Sequence, residues 1–208
     1  MQCILCAGST KEFWKSKNRE FVECSNCGGI QLLPEFYVSE NIEKERYLSH
    51  NNDVEDPRYQ NFVSPITSRV LKDFLPEQKG LDYGCGTGPV ATTELEKEGY
   101  TVALYDPYFH PYTEVLNAKY DFIICCEVME HFYEPKREFS ELAGRLNPGG
   151  KLYCKTSIYS EEINFDNWYY KNDPTHVFFY TAKNLEWIKD NLGFSTLEIY
   201  PKLIVFSK

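Results

Sequence analysis

The sequence predicts an α/β protein: a doubly wound sheet over residues 64–208, joined by a connector (34–63) to a small cysteine-rich module (1–33). Three observations predict it. From about Ser64 apolar strands alternate with amphipathic helices, the rhythm that buries a largely parallel sheet between two helix layers. A glycine-rich run falls between the first such strand and its helix, at the end of the sheet where open α/β folds bind ligands. Two CxxC pairs precede both, in a segment too short to build a core of its own.

Taken in order, the module offers short β-like runs such as Glu20-Phe21-Val22-Glu23. The connector begins at Pro34, is polar and Tyr-rich, and carries a helix over 39–50. Ser64-Pro65 opens the next helix, with Ser as cap and Pro in the first turn, running to about 75. A strand over 80–83, the glycine run, a helix over 90–98 closed by Gly99 and a strand over 100–105 follow. Residues 121–126 are continuously apolar after Asp121 and read as a strand buried on both faces. A helix over 134–146 ends in Asn147-Pro148-Gly149-Gly150, and a strand over 151–156 comes next. The last elements are a helix over 181–192, stopped by Gly193, and an antiparallel pair over 195–200 and 202–207.

Composition narrows the function. Against 22 Lys and Arg stand 31 Asp and Glu, a net charge of −9. Nucleic-acid binders draw most of their affinity from a basic face. Residues 1–33 balance Lys11, Lys15, Lys17 and Arg19 against Glu12, Glu20 and Glu23, so a small or neutral substrate is expected and nucleic acid is not. No apolar run reaches the ~18 residues that span a bilayer. The opening residues lack the basic flank and apolar core of a secretory signal, so the expected location is the cytoplasm.

Of eight cysteines, four come as Cys3-x2-Cys6 and, seventeen residues later, Cys24-x2-Cys27 followed by Gly28-Gly29. Each CxxC turn puts two thiolates on one side of a tight knuckle. Two knuckles supply the tetrahedral sulfur set of a closed, structural zinc site, whose binding energy would fold the module. Cys85, Cys125, Cys126 and Cys154 sit in or beside apolar stretches.

The run Leu81-Asp82-Tyr83-Gly84-Cys85-Gly86-Thr87-Gly88 has the spacing D-x-G-x-G-x-G, not the G-x-G-x-x-G of dinucleotide folds. It resembles motif I of the class I S-adenosylmethionine (SAM)-dependent methyltransferases, with their Rossmann-like sheet. The resemblance implies that Asp82 orders the loop and the methionine amino group, and that Gly84, Cys85, Gly86 and Gly88 lie against the methionine and ribose. Asp106, 18 residues beyond Gly88 in Tyr105-Asp106-Pro107, resembles the strand-end carboxylate that accepts both ribose hydroxyls. Residues 120–124 resemble the family's fourth strand, whose end brings Cys126 and Glu127 beside the sulfonium, and 146–150 resemble its LxPGG turn. Only 14 residues separate Asp106 from Asp121, so the third strand is short or missing and the sheet has six or seven strands. With the knuckles, the chain resembles bacterial class I methyltransferases that carry a zinc-ribbon.

Three further places hold candidate chemistry. Glu127-Val128-Met129-Glu130-His131 resembles the segment that binds a divalent metal in ubiquinone-biosynthesis O-methyltransferases; Glu127, Glu130 and His131 are alternatively polar residues flanking the cofactor. In Asp173-Pro174-Thr175-His176, His176 either takes a proton from a nucleophilic hydroxyl or amine or closes its loop by hydrogen bonding. Trp168, Tyr169 and Tyr170 either wall the pocket or pack the core. In the connector, Tyr47, His50 and Tyr59 are candidates for a lid over the cofactor. Two other functions stay open: an RNA base methyltransferase using its zinc module on RNA, and a non-catalytic SAM-binding scaffold.

Overall fold

The structure is a computed structural model that describes every residue except Asn51, which lies in the connector. Three short strands, β1 (Thr10–Lys15), β2 (Glu20–Cys24) and β3 (Ile30–Leu32), pair antiparallel in sequence order. The connector supplies α1 (Glu40–Leu48), and α2 (Pro57–Asp73) follows. Then come β4 (Lys79–Tyr83), α3 (Val90–Lys97), β5 (Thr101–Tyr105) and β6 (Tyr120–Cys126). The chain continues through α4 (Pro135–Arg145), β7 (Leu146–Lys155), β8 (Phe178–Phe179) and α5 (Ala182–Asn191). It closes with β9 (Thr196–Tyr200) and β10 (Leu203–Ser207).

The main sheet has six strands in the order β5-β4-β6-β7-β10-β9. The first four run parallel, and β10 is antiparallel to both neighbours. The expected third strand is absent among the described residues: between β5 and β6 there is only a 3-10 turn, Thr113–Asn117. Fourteen residues cannot make a crossover and a strand together, since a crossover alone takes a dozen or more. Alternate residues pack opposite faces. Phe122, Ile124, Tyr153 and Val205 meet the side chains of α2 and α3. Ile123, Cys125, Leu152, Cys154, Ile204 and Phe206 meet α4, α5 and the N-terminal module. Both faces are sealed, which is why β6 reads as one apolar run.

Three differences from the sequence reading have physical causes. First, α2 begins at Pro57, not at Ser64, so the boundary expected at 63/64 falls inside a helix. Asp56 caps it by accepting from the Arg58 N–H at 2.8 Å, so Asp-Pro carries the same start signal seven residues earlier. Pro65 sits in the interior and removes the bond to the Asn61 carbonyl; the Ser64 hydroxyl takes that carbonyl instead, at 2.8 Å. Second, β7 already pairs at Leu146 with Tyr120, then resumes at Lys151 with Phe122, so the Pro-Gly-Gly stretch bulges from a strand rather than preceding one. Third, the N-terminal sheet has four strands, because β8 pairs with β3 through Ile30–Phe179 and Gln31–Phe178. None of the described helices is long and apolar enough to cross a membrane.

Candidate functional site

The two knuckles converge. Cys3 Sγ lies 3.6 Å from Cys27 Sγ and Cys6 Sγ 3.4 Å from Cys24 Sγ, and all four sulfurs fall within 4.8 Å of one another. Four thiolates ~2.3 Å from a zinc ion stand about 3.8 Å apart, so the set fits that ion, and the spacing is far too long for disulfides. The Cys27 N–H and the Asn26 amide also point at sulfurs of the set, as zinc-knuckle donors do. Zinc would here be structural, with no ligand position open.

At the C-terminal ends of β4, β5 and β6 lies a cavity of about 1040 Å³. Asp82, Gly84, Cys85, Gly86 and Gly88 line it, as do Asp106, Pro107, Cys126, Glu127 and Tyr59. Gly84 has φ +80°, and a Cβ there would stand 2.5 Å from Val128. At Gly88 a Cβ would stand 1.9 Å from the Asn52 carbonyl oxygen: the connector lies directly on the loop. The absent Cβ atoms are what let Val128 and the connector pack against this loop at the cavity wall.

The two strand-end carboxylates differ. Asp82 is buried, accepts from the Thr92 hydroxyl at 2.8 Å, and is pushed up to about 7 by burial, with the nearby Asp106 adding to the effect. Asp106 is used by its own loop. Its Oδ1 accepts the Tyr108 and Phe109 N–H groups at 2.9 and 3.0 Å, and its Oδ2 accepts the Gly86 N–H at 3.0 Å. With both lone pairs of Oδ1 taken, one acceptor position remains, on Oδ2. Acceptance of two hydroxyls, the expectation for Asp106, is thus reduced to one.

Beyond β6, Glu127 holds φ +53°, a conformation that costs a side-chain-bearing residue roughly 1–3 kcal/mol and that clusters at functional sites. Its N–H donates to the Lys155 carbonyl at 2.7 Å. The Tyr170 hydroxyl lies between Glu127 Oε2, Glu130 Oε1 and Thr156 Oγ1. Glu130 is fully buried and its Oε2 has no partner among the described residues. Burial, then the Glu127 charge, push it up to about 8, so it stays largely protonated at neutral pH.

His131 and His176 stand 4.8 Å apart between ring centroids and both line the cavity. His131 Nδ1 lies 2.9 Å from the Thr175 carbonyl and His176 Nδ1 2.8 Å from the Tyr170 carbonyl. A carbonyl only accepts, so each Nδ1 carries the proton and each Nε2 offers a lone pair. Burial pulls His131 down to about 3 and His176 to about 4, so both are neutral at pH 7.

The expected trio of Glu127, Glu130 and His131 is not the one assembled. The ligand atoms that gather within 4.8 Å belong to Glu130, His131 and His176. Glu130 Oε2 is unpartnered among the described residues and could serve a divalent ion. Ligands ~2.1 Å from an ion stand about 3.0–3.4 Å apart when adjacent and up to ~4.2 Å when opposite. Glu130 Oε1 and His176 Nε2 are 4.0 Å apart, and Oε1 is already engaged by Tyr170. No step below runs through such an ion.

Of the aromatic trio, Tyr169 and Tyr170 line the cavity, but Trp168 does not; it packs edge-on to Phe179 in the core. Tyr47, His50 and Tyr59 all reach the cavity wall. Side chains on and around α1 fasten them. Glu43 on α1 collects three phenol hydroxyls: Tyr47 at 2.6 Å, Tyr108 at 3.0 Å and Tyr133 at 3.4 Å. Arg46 binds Asp173 Oδ2 through Nε and Nη2 at 3.0 and 2.7 Å, tying α1 to the His176 loop. Asp173 is held down to about 2: burial works against this, but the Thr175 hydroxyl and N–H, His176 and Arg46 outweigh it. Only the Glu43–Tyr47 spacing of four, one helical turn, was a signal available in sequence.

The methyltransferase-domain family model matches residues 56–199. The ubiquinone biosynthesis O-methyltransferase of Coxiella burnetii is 25% identical over 149 residues, covering 56% of this chain and 63% of that protein, so the chain spans less than two thirds of the curated relatives it matches. Among solved structures, Burkholderia thailandensis 1,6-didemethyltoxoflavin-N1-methyltransferase, with 1,6-didemethyltoxoflavin and S-adenosylhomocysteine bound, aligns with TM-score 0.57 at 12% identity, covering 95% of this chain and 97% of that one. Synechocystis PCC 6803 magnesium protoporphyrin IX methyltransferase, with bound SAH, aligns with TM-score 0.55 at 18% identity, covering 84% and 97%. At these identities the likeness concerns the fold.

Proposed function

The chain belongs to the methyltransferase-domain family, and we propose that it moves the methyl group of SAM to a small-molecule acceptor held between the glycine loop and the two histidines. One observation carries the reading. The glycine loop, two strand-end carboxylates and two histidines whose Nδ1 atoms are held by backbone carbonyls all line one cavity. The backbone of Gly84–Gly88 and the Asp82 carboxylate would hold the methionine half, and Asp106 with Pro107 the ribose. When bound, SAM supplies an electrophilic methyl carbon activated by the sulfonium. Alignment of the acceptor with that carbon is the main catalytic contribution of such a site. Tyr47, His50, Asn52 and Tyr59 close the cavity from the connector side and exclude water. His176 Nε2 takes the proton of an acceptor hydroxyl or amine as the new bond forms, with the Glu130 carboxyl 4.0 Å from that nitrogen. His131 remains neutral, because two imidazolium rings 4.8 Å apart would repel.

In this reading residues 1–33 form a zinc-ribbon, the connector from Pro34 to Asp56 is a lid, and the transferase begins with α2. Small molecules are favoured over RNA because three of the module's four basic groups are engaged, Lys17 being the exception. Lys11 pairs with Glu23, Lys15 with Glu20, and Arg19 turns inward. Both solved relatives above are named for small acceptors, in keeping with this. Calorimetry with SAM and SAH, followed by a metabolite screen read out as SAH produced, tests the proposal. Protein that takes up neither ligand at millimolar concentration ends it. Protein that binds SAM but methylates nothing in the screen, while methylating RNA, replaces the acceptor class and leaves the cofactor.

A further inference from the structure

The loop from Tyr170 to His176 carries five backbone carbonyls with unusual partners. Those of Tyr170 and Thr175 accept from Nδ1 of His176 and His131. The other three, of Lys171, Asp173 and His176, all accept from one side chain that reaches across from the cysteine module: Arg19. Its Nη1 donates to the Lys171 carbonyl and, at 2.9 Å, to that of Asp173; its Nη2 donates to that of His176 at 3.0 Å. Arg19 stands just before β2, where the Ser16 hydroxyl accepts its N–H at 3.2 Å, and its guanidinium lies 5.1 Å from the Phe21 ring. It forms no ion pair among the described residues. A partly buried guanidinium with no carboxylate partner is costly, and here the planar fork is spent wholly on backbone oxygens. The two sets of carbonyls interleave along a seven-residue loop, so fixing one set fixes the other.

We propose that Arg19 is a positioning residue: by clamping the carbonyls of Lys171, Asp173 and His176 it turns those of Tyr170 and Thr175 toward the two histidines, and so sets both rings with Nδ1 protonated and Nε2 facing the cavity. The N-terminal module thereby takes part in the site without touching the ligand. The proposal rests on the reading of the His131–His176 pocket as the acceptor site, and its test does not need turnover.

Long-range ¹H–¹⁵N correlation spectra of the wild-type protein, with His131→Asn and His176→Asn variants for assignment, report which ring nitrogen carries the proton. Wild type is expected to show Nδ1–H and a pyridine-type Nε2 for both residues at pH 7. In Arg19→Met the two Nε2 resonances move toward the protonated-nitrogen range as the tautomers mix, while SAH affinity by calorimetry stays within about twofold, a shift worth under ~0.5 kcal/mol. Arg19→Lys keeps the charge and reaches one carbonyl; it gives a partial version of the same shift and serves if the Met variant fails to fold. Unchanged tautomers in a folded Arg19 variant overturn the proposal. Wild-type protein that ignores SAH overturns the methyltransferase reading instead, and leaves the tautomer result standing by itself.

Discussion

Replacement of Asp106 by Asn changes one atom and tests the cofactor cradle directly. The carboxylate accepts three backbone N–H groups, two on Oδ1 and one on Oδ2. An Asn side chain keeps the pair by placing its carbonyl oxygen at the Oδ1 position, which turns its NH₂ toward the Gly86 N–H. Two donors then face each other across a distance that was 3.0 Å. A hydrogen bond to a charged acceptor contributes roughly 1.5–3 kcal/mol. The acceptor position left for a ribose hydroxyl lies on the same oxygen and is lost with it. SAH affinity should fall about 10- to 150-fold, the factor that 1.5–3 kcal/mol represents. Asp106→Ala, which removes all three acceptors, should fall further and melt earlier. Calorimetry with SAH, which supports no turnover, measures this cleanly. An Asp106→Asn protein that binds SAH within threefold of wild type would refute the argument, since the loop would then not depend on this carboxylate.

Three other outcomes follow from the geometry. Asp82, at about 7 when no cation faces it, must ionise to hold an ammonium group, so SAM should bind more tightly as pH rises from 6 to 8, and Asp82→Asn should flatten that dependence in calorimetry. His131 and His176 titrate far below the ordinary 6.5. The unfolded chain therefore takes up protons below pH 6.5 that the folded one refuses, and stability falls toward pH 4 by about 1.4 kcal/mol per unit for each ring. Glu130 acts in the opposite sense, favouring the fold below about 4.5 and losing that contribution as pH rises toward 8. Urea titrations should show a shallower acid limb in His176→Asn; an unchanged limb would contradict the burial argument. Zinc should be found at one per chain by mass spectrometry and be lost in Cys24→Ser, with loss of near-ultraviolet signal from the aromatic cluster at Phe21, Phe165 and Phe179. A zinc-free protein with that signal intact would show that the knuckles fold unaided.

What could be read in the sequence was whatever depends on a few neighbouring residues. The glycine loop, the paired cysteines, the helix stops and the absence of a third strand are short-range demands of the backbone, and each left a local mark. The start of α2 was misplaced because Asp56-Pro57 and Ser64-Pro65 carry the same start signal, and only the Ser64 hydroxyl on the Asn61 carbonyl shows that the second proline is tolerated inside a helix. Trp168 and Tyr170 are neighbours of similar character, yet one packs the core and the other faces the cavity. Partners more than a hundred residues apart, Arg46 with Asp173 and Arg19 with the His176 loop, left no local trace. The same holds for Asp106, whose pattern marked a ligand-facing carboxylate and could not show that backbone N–H groups already occupy most of it.

The pairing of β3 with β8 has a practical corollary for anyone recombining this chain. Phe178 and Phe179 are almost wholly shielded, and β3 is what completes their sheet. A shortened clone starting at α2 would leave that two-residue strand as a naked apolar border, open to pairing with other molecules. A hybrid that borrows a different cysteine module must therefore borrow the matching stretch around 178–181 as well: the cassette is written in two pieces far apart in the sequence.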